Sequence, residues 1–111
     1  QWRERWISRI VPQHEIAVAE SDKEILGFIT LNPESSELSQ IFTRPSQQGH
    51  GVGSELLNWA KNRCRTGIYL FTLEINYRSR EFYEKHGFRE TGSSTNPISG
   101  LPTVRYEWGG S

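Results

Sequence analysis

Apolar and polar positions alternate in blocks whose period changes along the chain. Trp2, Trp6 and Ile10 recur every fourth residue with Arg and Glu between them, which predicts the last turns of an amphipathic helix ended by Pro12. Residues 15–20 (EIAVAE) and 25–31 (ILGFITL) are rich in β-branched and aromatic residues and are joined by the polar turn 21–24, so they predict an antiparallel hairpin. A second turn at 32–36 leads to a third strand, 37–43 (ELSQIFT), stopped by Pro45. The pattern then becomes helical: Val52, Leu56, Trp59, Ala60 and Cys64 share one face, and Ser54, Glu55, Asn58 and Lys61 the other. Residues 68–75 (IYLFTLEI) form the most apolar run and predict a central strand buried on both faces. A short helix over 79–86 follows, with Gly87 suited to the left-handed position past its end and Phe88 as the apolar residue after it. After a Ser/Thr/Asn/Pro-rich loop, 104–108 (VRYEW) closes the sheet. The expected order is α-β-β-β-α-β-α-β, an α/β (α+β) chain with a mixed, mostly antiparallel central sheet flanked by helices.

Composition narrows the class. The 111 residues fit one domain, 1–111, with no internal repeat or low-complexity linker. Leu, Ile, Val and Phe make up about 23% of the chain, enough for one small core. Thirteen basic and thirteen acidic residues cancel, which argues against a dedicated nucleic-acid binder, and no apolar run reaches membrane-spanning length. The single cysteine, Cys64, gives no intramolecular disulfide, and with no signal-peptide pattern a cytoplasmic setting is expected. Methionine is absent and the chain opens on Gln1-Trp2, which suggests that upstream sequence has been lost or that the chain is naturally short.

The candidate chemistry begins at residues 47–53 (QQGHGVG), where strand, glycine-rich loop and helix follow one another. Such a loop lets the backbone approach a ligand, and the helix N-terminus behind it attracts a phosphate or pyrophosphate. The same composition also fits a connection that holds no ligand. A P-loop is excluded because no Lys lies in the segment. A Rossmann reading from Gly49 and Gly51 meets Ser54 where its third glycine belongs, and three strands precede it instead of one. The loop type Gln/Arg-x-x-Gly-x-Gly/Ala fits fully at Gln48-Gly49-His50-Gly51-Val52-Gly53. Downstream, Asn76-x-x-Ser79-x-x-Phe82-Tyr83-Glu84-Lys85-His86-Gly87-Phe88 forms a second segment, one helix and one strand away. His14, His50, His86 and Cys64 show no metal-ligand spacing, and no metal is expected. His86 reads as a helix-end residue and Cys64 as a core residue.

In this order and spacing the two segments resemble the GNAT superfamily of acyl-CoA-dependent N-acyltransferases, from about residue 15 onward. Thr43-Arg44-Pro45 is similar to the family's Val-x-Pro strand ending, with Thr for Val, and Ser79 stands where Ala is usual. The resemblance implies that Gln48, Gly49, His50, Gly51, Val52, Gly53 and Ser54 hold the pyrophosphate of acetyl-CoA, a co-substrate. It implies that Ile41, Phe42 and Thr43, on a strand splayed from its parallel neighbour, bind the pantetheine arm, with Asn76 on the far side and Ser79 and Phe82 in the same cofactor-binding segment. Tyr83 matches the tyrosine that protonates or hydrogen-bonds the departing sulfur. Glu37 lies where one branch of the family keeps a catalytic base; Glu74 and bound water are the alternatives. Arg78 and Arg80 are either solvated or touch the nucleotide end of the cofactor.

Members of the family begin with a further strand and helix, which wall the acceptor pocket, so this chain is N-terminally short for a GNAT-like fold. An exposed sheet edge left behind would need a cover, for which a second copy of the chain is a candidate. Trp2 and Trp6 read as packed on the sheet or as part of such an interface. The implied partners are acetyl-CoA and an unidentified amine, with no membrane. A non-catalytic acyl-CoA-binding or interaction module of the same fold is the competing reading.

Overall fold

The computed structural model describes residues 3–7, 14–21, 24–47 and 51–109, which fall into two compact units, residues 1–65 and 66–111. The first holds β1 (Arg3–Ile7), β2 (Glu15–Ser21), β3 (Glu24–Asn32), β4 (Glu37–Thr43), a 3-10 turn at Pro45–Gln47 and α1 (Val52–Arg63). The second holds β5 (Ile68–Leu73), α2 (Tyr77–Lys85), β6 (Arg89–Thr95) and β7 (Pro102–Trp108).

In the first unit β1 to β4 form an antiparallel meander. The expected N-terminal helix over 2–10 is corrected: Arg3–Ile7 is a strand, with Arg3 opposite Glu20 and Ile7 opposite Ile16. Two or three turns of isolated helix cannot recover the cost of nucleation, whereas β2 offers a ready ladder and Trp and Ile favour the pleated surface. Trp2, Ile10 and Pro12 lie outside the described residues. The β3–β4 turn is set by Asn32, whose side-chain oxygen accepts from the N–H groups of Glu34 (3.0 Å) and Ser35 (3.3 Å).

Helix α1 lies on β2, β3 and β4 and buries the anticipated face, including Val52, Leu56, Trp59, Ala60 and the Cys64 cap. Two devices fix it. Arg63 forks onto Glu15, its Nε donating to Oε1 at 2.7 Å and a second N–H to Oε2, which ties the helix end to the start of β2. At the other end Gly27 admits the helix: a Cβ there would stand 2.6 Å from the Phe42 carbonyl oxygen, 3.1 Å from Val52 Cγ1 and 3.3 Å from Leu56 Cδ1.

In the second unit β7 runs antiparallel to both β5 and β6. The expectation that residues 68–75 are buried on both faces is corrected. The strand ends at Leu73; Ile68 and Leu70 are buried, but Phe71 is 45% exposed. The outer face is roofed by Arg105, whose guanidinium carbon lies 4.3 Å from the Tyr69 ring centroid and 5.8 Å from that of Phe71. The stretch anticipated as loop contains β6 (RETGSST), whose side chains are all exposed. Its partner β7 begins at Pro102, two residues earlier than expected. All described pairings are antiparallel, and the α+β class holds.

Candidate active site

In the first unit the candidate residues lie on β4 and at the start of α1. Thr30 of β3 pairs with Gln40 but the next residue, Leu31, pairs with Leu38, so Ser39 is an extra residue in β4. This β-bulge resets the alternation of the strand. Leu38, Ile41 and Thr43 share the α1 side with Leu31, Ile29 and Gly27. Ser39, Gln40 and Phe42 take the other, where Phe42 stacks on Phe28 with ring centroids 5.6 Å apart. Ile41 and Thr43 are half-buried and Phe42 is exposed. Glu37 is half-buried, opens β4 opposite Asn32, and stands on the Phe42 side. Beyond Thr43 the Arg44 N–H donates to the Leu26 carbonyl at 2.8 Å, and the chain leaves the sheet.

Gln48, Gly49 and His50 lie outside the described residues. Gly51 is the N-cap of α1 at φ +86°, the left-handed region that suits glycine, and among the described residues a Cβ placed on it would meet no atom within 4 Å. The glycine N-cap has no side chain of its own to offer; the first turn is closed by the Glu55 N–H donating to the Gly51 carbonyl at 3.0 Å. The amides of Val52 and Gly53 open the helix at its positive end, an arrangement suited to an anion. Ser54 follows, half-buried.

In the second unit the candidate residues lie on α2 and at its start. The helix begins at Tyr77, two residues before the expected Ser79, because Asn76 caps it: its Oδ1 accepts from the Ser79 N–H at 3.2 Å. The carboxamide NH2 of Asn76 is left as the donor. Its C-terminus ends as anticipated, with Gly87 at φ +89°, Phe88 buried and the Phe88 N–H donating to the Tyr83 carbonyl at 3.0 Å. His86 Nδ1 lies 2.8 Å from the Phe82 carbonyl, and the rings of Phe82 and His86 are 4.5 Å apart.

Tyr83 is 6% exposed, with the rings of Phe82, Phe88 and Tyr106 around it at 5.5, 5.6 and 6.2 Å. Burial pushes its phenol up to about 12. Among the described residues no group hydrogen-bonds its hydroxyl, so the phenol is a protonated donor with an open end. Glu74 is exposed, its N–H donating to the Pro102 carbonyl and its own carbonyl accepting from Arg80 at 2.9 Å.

Arg80, expected to be solvated or at the nucleotide, is instead a structural hub. It also donates to the Tyr106 hydroxyl at 3.2 Å and to Glu90 at 3.2 Å, while Tyr106 donates to Glu84 at 2.7 Å. Sequence reading missed Tyr106 and Glu84; the Arg80–Glu84 spacing of four was the available signal. Arg78 is exposed. His14 reaches Ser39 Oγ at 3.1 Å, and among the described residues no group of three or more His, Cys, Asp or Glu side chains converges. Among the described residues no helix is long and apolar enough to cross a membrane.

Comparison with known proteins bears on both units. Residues 1–109 match the acetyltransferase (GNAT) domain family. A peptidyl-lysine N-acetyltransferase of Salmonella typhimurium is 31% identical over 100 residues, covering 89% of this chain and 67% of its own. An uncharacterized N-acetyltransferase of Archaeoglobus fulgidus is 31% identical over 94 residues, covering 71% of this chain and 64% of its own. The chain thus spans about two thirds of the length of these relatives. A GNAT family acetyltransferase from Elizabethkingia anophelis, solved with acetyl-CoA bound, superposes at TM-score 0.75 with 22% identity over 87% of this chain and 76% of its own. The mixed, mostly antiparallel α+β fold anticipated from sequence is the fold of such structures.

Proposed function

The chain belongs to the GNAT acetyltransferase family, and on that premise we propose that it transfers an acetyl group from acetyl-CoA to a primary amine. Residues 1–111 act as one GNAT-like domain, and the amine attacks the thioester directly in a ternary complex. The observation that carries this reading is the start of α1. A helix whose N-cap is the left-handed Gly51, with nothing among the described residues within 4 Å of its Cβ position and β4 leading into it, is what a pyrophosphate needs. Relatives point to amines as acceptors: one is named for peptidyl-lysine, another for aminoalkylphosphonate.

In the reaction the neutral amine adds to the thioester carbonyl, giving a tetrahedral oxyanion. Its collapse forms the amide, breaks the C–S bond and releases CoA as a thiolate. The proton lost by the amine passes to a base, for which Glu37 at the head of β4 is the candidate. Ile41, Phe42 and Thr43 bind the pantetheine arm, and Asn76 donates to it through the amide that its capping role leaves over. Ser79 and Phe82 complete that contact.

Tyr83 donates to the departing sulfur. With its phenol at about 12 and an ordinary thiol near 8.5, complete proton transfer to the thiolate is uphill by about 5 kcal/mol. Tyr83 therefore acts as a hydrogen-bond donor that stays protonated at every working pH, and the sulfur takes its final proton from water. Tyr83→Phe lowers turnover by about one to two orders of magnitude with acetyl-CoA affinity nearly intact.

The test is calorimetric titration with acetyl-CoA, with NAD as control, followed by thiol release with candidate amines. Binding of acetyl-CoA alone, lost in Gly51→Asp, together with amine-dependent thiol release, supports the reading. Binding without thiol release makes the chain an acyl-CoA-binding module. Unchanged affinity in Gly51→Asp refutes the pyrophosphate role of the loop.

A further inference from the structure

The second unit carries a polar cluster that acetyl transfer, as described, leaves unused. Tyr106 in β7 is fully buried, yet its hydroxyl makes two hydrogen bonds, donating to Glu84 Oε2 at 2.7 Å and accepting from Arg80 Nε at 3.2 Å. Arg80 and Glu84 are four residues apart on α2, so one phenol grips two successive turns of the same helix face. Arg80 extends the hold to the Glu74 carbonyl at 2.9 Å, just ahead of the Asn76 cap, and to Glu90 Oε1 of β6 at 3.2 Å. A phenylalanine would fill the ring's place equally well, and a buried hydroxyl is a cost unless its bonds are kept.

What the bonds fix is the rotation of α2 about its own axis. Tyr83 precedes Glu84, and its ring lies 6.2 Å from that of Tyr106. At a helix radius of about 5 Å, a rotation of about 20° carries a surface atom roughly 2 Å. Misplacement by about 1 Å is enough to cost a catalytic group two orders of magnitude. We infer that Tyr106 is a positioning residue, which through Arg80 and Glu84 sets the rotation of α2 and so the place of the Tyr83 hydroxyl. The inference rests on the reading of Tyr83 as donor to the leaving thiolate.

The test compares Tyr106→Phe, Glu84→Ala and Glu84→Gln, each alone and with Tyr83→Phe, in the thiol-release assay with acetyl-CoA and spermidine or a lysine peptide. The expected result is a loss of about tenfold in kcat for Tyr106→Phe and Glu84→Ala, with KM for acetyl-CoA within about twofold. Glu84→Gln keeps an acceptor for the phenol and restores the rate. In the Tyr83→Phe background none of the three lowers kcat further. Full kcat in Tyr106→Phe, or an equal loss with Tyr83 already replaced, overturns the inference. Should Tyr106→Phe fail to fold, the exposed Glu84 pair decides in the same terms. Tyr83→Phe matching the wild type, or a wild type that releases no thiol, overturns the reading of Tyr83 and this inference with it; an impaired Tyr83→Phe beside a silent Tyr106→Phe overturns the inference alone.

Discussion

Gly27→Ala is the smallest change that should disturb both the fold and the cofactor end of the first unit. The added methyl would sit 2.6 Å from the Phe42 carbonyl oxygen, about 0.8 Å inside ordinary contact, with Val52 Cγ1 and Leu56 Cδ1 at 3.1 and 3.3 Å. The side chains can yield by a few tenths of an ångström. The carbonyl cannot, because it belongs to the backbone of β4, paired with β3 on one side of the strand's exit. Overpacking of this kind costs about 1–3 kcal/mol, and the upper end applies because a backbone atom is struck. The entropy gained by replacing a glycine offsets under 1 kcal/mol. A net loss of about 2 kcal/mol lowers the melting temperature of a domain this size by roughly 8 °C. The displaced Val52 is the first residue of α1, so acetyl-CoA should bind about tenfold more weakly. Thermal unfolding and calorimetric titration read the two effects. A melting temperature within about 2 °C of the wild type would refute the close-approach argument.

Two further substitutions separate roles that one residue combines. Asn76→Asp keeps the oxygen that caps α2 and loses the amide donor, so it should hold the melting temperature while weakening acetyl-CoA binding; Asn76→Ala should lose about 1 kcal/mol of stability as well, by urea unfolding. Tyr83, with its folded phenol at about 12 against about 10 when unfolded, holds its proton more tightly in the native state. Its contribution is intact below pH 10 and lost as the pH rises toward 12, up to about 2.7 kcal/mol. Tyr83→Phe should therefore flatten the decline of stability in urea titrations over that window, and an unaltered slope would show the ring to be less buried than described.

What could be read from sequence was whatever leaves a periodic or chemical mark. The strand at Glu37–Thr43 was bounded to the residue because Ser35-Ser36 and Pro45 punctuate it. The buried face of α1 and the Gly87 ending of α2 follow from helical spacing and backbone freedom. By contrast β6 is RETGSST, exposed throughout, and no hydrophobic pattern can announce a strand held by its ladder with β7 and by the bond from Arg80 to Glu90. Trp2, Trp6 and Ile10 show a helical period, yet Arg3–Ile7, which holds Trp6, takes the ladder that β2 offers. The one-residue offset at Ser39 and the grip of Tyr106 on α2 depend on partners distant in the chain, which alternation within a segment does not encode. Gly27 was legible in principle, as a lone glycine inside an apolar strand.

The offset at Ser39 gives β4 a spare residue. Elsewhere in a paired strand, loss of one residue exchanges the two sides of everything before it or after it. Here deletion of Ser39 would restore plain alternation with Leu31 opposite Leu38, Thr30 opposite Gln40 and Ile29 opposite Ile41, as they already stand. Leu38, Ile41 and Thr43 would keep the α1 side and Phe42 the other. What would go is the bend and the extra twist that a bulge puts into its strand. Ser39 thus shapes the path of β4, and its loss would straighten the strand without turning its neighbours over.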